Sequence, residues 1–202
     1  MTIECPTDYG PLSGLIGTWQ GDKGLDRAPE PDGAEENPYY ETITFEAVGD
    51  VVNAESQTLA AVRYHQTVSR KKNGEVFHDE TGYWMWDAKE RIVMHSIAIP
   101  RGVCLLAGAK YIHENDPHGV VTLNVAAKLG DPDWGIIQSP FMRDNARTIE
   151  FQHNITFNED SLSYTETTTL EIYGKTFAHT DKNALDMALI DVSAKSEQIN
   201  NN

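Results

Sequence analysis

Apolar and polar residues alternate along most of this chain with the two-residue period of β-strands. The clearest alternation lies in residues 147–157. One face of that strand would contain Ile149, Phe151, His153, Ile155 and Phe157. Turn signals separate it from similar segments, and one such turn is Asn73-Gly74 between two earlier strands. Because no helices alternate with the strands, the pattern predicts an all-β protein built from successive hairpins.

About ten strands are predicted in this way, with Gly49-Asp50 as one of the turns between them. They are predicted at Gly17–Gly21, Tyr39–Glu46, Val51–Ser56, Thr58–Ser69, Val76–Trp86, Arg91–Ile99, Val103–Tyr111, Val120–Ala127, Arg147–Phe157 and Ser161–Ile172. Their hairpin order favours an antiparallel up-and-down β-barrel, since closure removes exposed strand edges. A barrel of this strand number is wide enough to hold a ligand.

The segments outside the strands complete a single domain over residues 1–202. The apolar run Pro11–Ile16 predicts a one-turn helix that plugs one end of the barrel, with Trp19 packed against it. Residues 24–38 and 129–145 are rich in proline and glycine and predict long loops, the second with a short helical turn. Thr180–Ala194 predicts a terminal helix capped by Thr180 or Asp181. Residues 1–9 and 195–202 are expected to be tails.

Composition and charge narrow the possible partners. The 202 residues include 16 Lys and Arg against 31 Asp and Glu, a formal charge of −15 that repels phosphate backbones and argues against nucleic acid. No apolar run is long enough to cross a membrane, and no signal peptide is evident. Cys5 and Cys104 are expected to be unpaired thiols in a reducing compartment, so we expect a cytoplasmic protein. A homodimer is compatible with the long acidic loops.

The histidines are the candidate residues for chemistry, because the chain has no phosphate loop, nucleophile elbow or zinc-protease motif. His179 follows the last predicted strand, where it is either an exposed loop residue or a ligand at the barrel mouth. His78 shares a strand face with Trp84, and the two would suit a flat aromatic guest if that face is turned inward.

The other candidates have structural interpretations first. His153 is expected to be a hydrogen-bonded core residue, and His95 is equally compatible with core and pocket. No dense cluster of metal ligands is evident, so a non-haem metal centre is not expected. The remaining candidates are expected at solvated positions, with contact to a guest carboxylate as the alternative for the arginines. They are His113, His118, Arg27, Arg101 and Arg143. His65 and Tyr64 lie on opposite faces of one predicted strand, so at most one of them points inward.

Several short motifs together resemble the nitrobindin family of haem-binding β-barrels. They are Gly17–Gly21, His78–Tyr83, Leu162–Tyr164, His179 and Leu185–Asp186. The resemblance implies a barrel similar to those of fatty-acid-binding proteins and lipocalins. It also implies a ferric haem b whose iron is ligated by the residue that matches His179, with His78 on the opposite side of the haem. Members bind nitric oxide and can isomerise peroxynitrite to nitrate.

Three functions therefore remain open from the sequence. The first is a haem barrel that handles nitric oxide or peroxynitrite, with cofactor contacts from His179, His78 and Trp84, and with peroxynitrite isomerase activity if haem is bound. The second is a lipocalin-like carrier of a small hydrophobic ligand without chemistry. The third is a structural barrel filled by its own aromatic side chains.

Overall fold

A computed structural model describes residues 6–112 and 119–188 of the chain. Within them, ten antiparallel strands close into one barrel, and an eleventh short strand pairs with the end of one of the ten. The strands are β1 (Gly17–Glu30), β2 (Gly33–Asn53), β3 (Gln57–Arg70), β4 (Val76–Asp87), β5 (Ile92–Ile99), β6 (Val103–Lys110), β7 (Val121–Lys128), β8 (Ile136–Gln138), β9 (Ala146–Phe157), β10 (Ser161–Ile172) and β11 (Lys175–Met187). Apart from β8, each strand pairs with the next one along the chain, and β11 returns to β1. The predicted all-β up-and-down barrel is confirmed.

The predicted helical plug is present at one end of the barrel. A 3₁₀ helix spans Gly10–Leu15, and its Leu12 and Leu15 side chains are fully buried. The Trp19 indole Nε1 donates a hydrogen bond to the Leu15 carbonyl at 2.8 Å. This contact satisfies the one polar atom of a fully buried indole, so the first strand and the plug form one unit.

The predicted loop at 24–38 is wrong, because these residues form the β1–β2 hairpin. Pro29 lies beyond the last residue of β1 that pairs with β11, and Pro38 lies beyond the last residue of β2 that pairs with β3. Each proline therefore has a neighbouring strand on one side only, where its missing N–H is tolerated. Gly24 lies against Tyr39, and a Cβ at this position would come within 2.0 Å of the Tyr39 ring. The hairpin therefore adds inward-facing side chains to the barrel wall.

The predicted terminal helix is also wrong over its described part, since Thr180–Met187 belongs to β11. The capping signal at Thr180 and Asp181 is overridden by pairing, because β11 joins β10 on one side and β1 on the other. Alternation along β11 turns Phe177, His179, Asp181, Asn183 and Leu185 towards the interior. Residues 189–202 and 1–5 lie outside the described part of the chain.

Two further segments differ from their predictions in detail. The Gly49-Asp50 turn is a β-bulge inside the continuous strand β2. A register shift between β9 and β10 turns Thr148 inward in place of the predicted Ile149. The predicted helical turn in 129–145 is the helix α1 (Pro140–Asn145), whose first turn is capped by Ser139 Oγ, which accepts from Met142 N at 3.3 Å.

The barrel interior is divided along its axis. The half next to the 3₁₀ helix is packed with buried side chains, the largest being Trp19, Trp84, Phe157, Leu12 and Leu15. The other half contains a cavity. Cys104 lies on β6 with an exposed free thiol, and Cys5 is outside the described residues. Among the described helices, neither is long and apolar enough to cross a membrane.

Candidate ligand cavity

The open half of the barrel encloses a cavity of about 460 Å³. This volume lies within the roughly 300–1,000 Å³ of typical small-molecule sites. Its wall is formed by residues from β1, β2, β3, β4, β5, β6, β9, β10 and β11, together with Met142 of α1. The hypothesis of a barrel filled entirely by its own side chains is therefore wrong.

His179 lies on the cavity wall, as the haem hypothesis requires. Its Nε2 is 2.7 Å from Asp26 Oδ1 and 3.4 Å from Asp181 Oδ2. Asp26 is only 3% exposed and also accepts a hydrogen bond from Asn37 Nδ2 at 3.1 Å. The imidazole is thus held in place by carboxylates from β1 and from its own strand.

The electrostatics around His179 follow from this arrangement. Burial by itself lowers the pKa of His179, but the hydrogen bond that its imidazole donates to Asp26 and the negative charges of Asp181 and Asp26 outweigh it and raise that pKa. Burial raises the pKa of Asp181 to about 6, although the His179 imidazolium opposes the rise. The carboxylates around His179 therefore favour its protonated form relative to a histidine in water.

His78 reaches the same cavity from β4. Its Nε2 is 3.4 Å from Glu80 Oε2, and Glu80 is buried and accepts a hydrogen bond from Tyr64 at 2.6 Å. Burial lowers the pKa of His78, but the contacts with Glu80 outweigh it and leave the pKa raised. The structure thus brings together the two histidines that the sequence singled out.

One part of the cavity wall is apolar, and two arginines line the cavity. The apolar part contains Val68, Ile99, Val103, Leu105, Phe151 and Leu170. Arg101 is exposed and donates to the Phe77 carbonyl at 2.8 Å, while the Arg70 guanidinium lies 4.4 Å from the centre of the Phe77 ring. The cavity is therefore amphipathic, with a polar histidine and carboxylate side and an apolar side.

Comparison with known proteins identifies the family. Residues 8–186 match the sequence profile described as "THAP4-like, heme-binding beta-barrel domain". The chain belongs to this family. The predicted resemblance to the nitrobindin family is confirmed by this match. A search of curated proteins gave no match.

A solved structure supports the fold of this haem-binding barrel family. The crystal structure of Rv2717c from M. tuberculosis superposes with a TM-score of 0.67 at 20% sequence identity, covering 90% of this chain and 100% of that chain. At this identity the likeness concerns the fold alone. The fold of this chain is thus a known architecture.

The lining fits the haem of the family in three respects. An imidazole lies on the wall, the neighbouring apolar surface suits a porphyrin ring, and the guanidinium groups of Arg70 and Arg101 suit propionates. One feature opposes the fit, because Asp26 already accepts a hydrogen bond from the nitrogen that would ligate iron. Ligation of a haem iron by this nitrogen would require that the hydrogen bond between His179 and Asp26 is broken.

Trp84 is placed differently from the two histidines. It is 1% exposed in the packed half of the barrel and stacks on His95, with ring centres 4.0 Å apart and planes inclined by 13°. It is absent from the residues that line the cavity. The prediction that Trp84 and His78 share one face of β4 is correct, but the two side chains lie at different depths in the barrel.

The remaining candidates occupy interior and surface positions. His153 is buried as predicted, yet neither of its ring nitrogens has a hydrogen-bond partner among the described residues. Burial lowers the pKa of His153 to about 4, and burial lowers that of His95 well below its usual range. His65 is exposed and pairs with Asp79 at 2.9 Å, Arg27 and Arg143 are exposed, and Arg101 lines the cavity. His113 and His118 lie outside the described residues.

A network below His179 was not predicted from the sequence. Glu41 is 3% exposed and accepts hydrogen bonds from Gln66 Nε2 and Asn183 Nδ2, each at 2.6 Å, and from Tyr164 Oη at 2.9 Å. Tyr164 Oη is also 2.8 Å from Tyr39 Oη. The inward position of Glu41 follows from its alternation with Ile43, which was the available signal. Such a fully bonded network fixes the floor of the cavity.

Glu41 gives the fold a testable pH dependence. Burial raises its pKa from 4.5 to about 7, despite the hydrogen bonds from Asn183 and Tyr164. An acid with a raised pKa in the folded state contributes stability below its unfolded pKa and loses it as the pH rises through the folded value. Between pH 4.5 and 8 this group is expected to lower the free energy of unfolding by up to about 3 kcal/mol. Urea unfolding of wild type and Glu41→Gln across this range isolates the effect as the difference between the two curves.

The matched control for this prediction is Glu46→Gln, because Glu46 is exposed and pairs with Arg63 on the outer surface. It is expected to leave the pH dependence unchanged. Parallel pH profiles for wild type and Glu41→Gln would show that Glu41 does not titrate with a raised pKa.

Proposed function

We propose that the cavity binds one haem b, with Nε2 of His179 as the protein ligand of the iron. The observation that carries the proposal is the imidazole of His179 on the wall of a 460 Å³ cavity, in a chain of the haem-binding barrel family. A neutral imidazole nitrogen is a good ligand for haem iron. Its approach to the iron replaces the hydrogen bond to Asp26.

Other residues of the wall would hold the cofactor without contacting the iron. Leu105, Phe151 and Leu170 provide apolar surface for the porphyrin, and burial of that ring supplies most of the affinity. The guanidinium groups of Arg70 and Arg101 would bind the propionates by charge-assisted hydrogen bonds. His78, held near Glu80, would donate a hydrogen bond from the wall to a small ligand.

When bound, ferric haem would supply a position at which nitric oxide binds and peroxynitrite is isomerised to nitrate, as the resemblance to nitrobindin implies. The chain's contribution is to bind and orient the cofactor and to shield it from water. No protein general acid is required for this role, and none is assigned.

A carrier of a small hydrophobic ligand is the weaker alternative. The cavity wall includes Asp26, Glu80, Glu166, His179 and Asp181. An apolar guest would remove water from these polar groups without offering hydrogen bonds in its place, which is unfavourable. The polar side of the cavity therefore favours a guest that offers a metal centre.

Titration of the apoprotein with haemin tests the proposal. We expect a sharp Soret band that saturates at one haemin per chain, and a shift of that band when nitric oxide is added. Stopped-flow decay of peroxynitrite, with and without the loaded protein, measures the isomerase activity. A featureless absorbance of free haemin at all ratios, together with tight binding of an apolar fluorescent probe, would favour the carrier.

A further inference from the structure

Three potential metal ligands meet on one side of the cavity. One ring nitrogen of His179 and one carboxylate oxygen each from Asp26 and Asp181 all lie within 4.8 Å of one another. The residues come from two neighbouring strands, where Asp26 and Asp181 are direct partners in the β1–β11 pairing. All three line the cavity, so a bound ion would be accessible to a guest from that side. The cluster is defined by the fold rather than by a flexible loop.

The carboxylates that line the cavity outnumber the lysines and arginines that line it. Besides the two aspartates, Glu80 and Glu166 line the same cavity, and no lysine does. In the described parts of the chain, Arg70 and Arg101 form no ion pair with any of these carboxylates, since Arg70 binds the Asn37 side chain and Arg101 the Phe77 carbonyl. The groups that face these carboxylates are imidazoles, since His179 faces both aspartates, and His78 and His153 lie 3.4 Å from Glu80 and 3.7 Å from Glu166. A metal ion bound between Asp26, Asp181 and a neutral His179 would supply positive charge to this group of carboxylates.

We propose that Asp26, His179 and Asp181 form a binding site for one divalent transition-metal ion, which occupies the barrel when haem is absent. The site goes beyond the proposed haem function and does not depend on it. Because both uses require Nε2 of His179, the metal ion and haem would compete for the chain.

The two distances from Nε2 of His179 require only small side-chain movements, and the oxygens of Asp26 and Asp181 lie within 4.8 Å of each other. With three ligand bonds of about 2.1 Å at tetrahedral angles, the ligand atoms would be about 3.4 Å apart. Nε2 of His179 is 3.4 Å from Asp181 Oδ2 already, and it is 2.7 Å from Asp26 Oδ1. The second distance must open by less than about 1 Å. The ion would then take the place of the proton that His179 and Asp26 share.

The donor set determines the class of metal. One imidazole and two carboxylates suit Zn²⁺, Fe²⁺, Mn²⁺ or Co²⁺, whereas Ca²⁺ and Mg²⁺ prefer sites made of oxygen alone. The cluster contains no thiolate, so it does not favour Cu⁺. Three protein ligands leave at least one position for water or a guest, as in catalytic rather than structural zinc sites.

The test uses the full chain, stripped of metal with a chelator and free of haem. Zn²⁺ binding is measured by isothermal titration calorimetry, and Co²⁺ binding by its visible absorbance. Wild type, Asp181→Asn, Asp26→Asn and His179→Ala are compared with Asp79→Asn, which alters an exposed carboxylate that pairs with His65 outside the barrel. Circular dichroism melting curves verify that each variant is folded, and haemin titrations by the Soret band are run in parallel.

We expect one Zn²⁺ per wild-type chain and tetrahedral-type Co²⁺ absorbance. Asp181→Asn, Asp26→Asn and His179→Ala should each weaken Zn²⁺ binding by at least about 10–100-fold, and Asp79→Asn should not. Asp181→Asn should keep its Soret band with haemin, and Zn²⁺ should compete with haemin in wild type. Absence of stoichiometric Zn²⁺ binding to wild type, or unchanged binding by folded Asp181→Asn, overturns the metal site. Metal binding without a Soret band overturns only the haem proposal, and the converse result overturns only the metal proposal.

Discussion

Replacing His179 with alanine is expected to abolish the Soret band of the haemin-loaded protein and to weaken haemin binding by about 100-fold or more. The side chain lies on the cavity wall, and its Nε2 would be free to ligate iron once the contact with Asp26 is broken. Residual binding would come from the apolar wall and from Arg70 and Arg101. Spectrophotometric titration with haemin at neutral pH measures the loss.

Two other histidines provide the controls for this prediction. His65→Ala alters an exposed histidine that pairs with Asp79 on the outer surface, and it should leave the spectrum and affinity unchanged. His78→Ala should retain the Soret band but change the nitric oxide spectrum, since His78 lies on the wall without ligating iron. If His78→Ala and His65→Ala keep the band and His179→Ala does too, the ligand assignment is wrong.

Replacing Trp19 with alanine is expected to produce the largest loss of stability, about 3–5 kcal/mol. The indole is fully buried in the packed half of the barrel and donates to the Leu15 carbonyl. Its removal leaves a cavity next to Leu12 and Leu15 and an unsatisfied carbonyl, so the 3₁₀ helix would detach from the strands. Urea unfolding followed by circular dichroism measures the loss.

Phe141→Ala is the matched control, because Phe141 in α1 is 70% exposed and its truncation should cost less than about 0.5 kcal/mol. Trp19→Phe should be intermediate, since it keeps a buried ring but loses the hydrogen bond. Equal unfolding midpoints for Trp19→Ala and Phe141→Ala would refute the assignment of Trp19 as the main contact between plug and barrel.

The barrel could be predicted from local patterns because alternation and turns determine hairpins over short distances. The Asn73-Gly74 turn and the alternation of His78 with Glu80 and Trp84 needed no information from distant residues. Pairing of β1 with β11 joins strands from the two ends of the sequence. The residues of β11 alone do not indicate that they will pair with β1. The strand at Thr180–Met187 is therefore not predictable from its own residues. The 24–38 hairpin is local, but its prolines and glycines are typical of a loop and concealed the pairing of β1 with β2.

The candidate site was predictable only in part for a related reason. Alternation indicates which side chains turn inward but not how deep they lie, so it grouped His78 with Trp84 although only His78 reaches the cavity. Asp26 lies in the segment taken for a loop, and its contact with His179 joins residues 153 positions apart. Predicting that contact required the register of β1 against β11.

Anomalous diffraction at the iron edge from crystals of the haemin-loaded chain tests the central claim most directly. The account predicts one iron peak inside the open half of the barrel, bonded to Nε2 of His179, with the Asp26 carboxylate moved away from that nitrogen. An iron peak bound to another histidine, or haem on the outer surface with the contact between His179 and Asp26 intact, would contradict it.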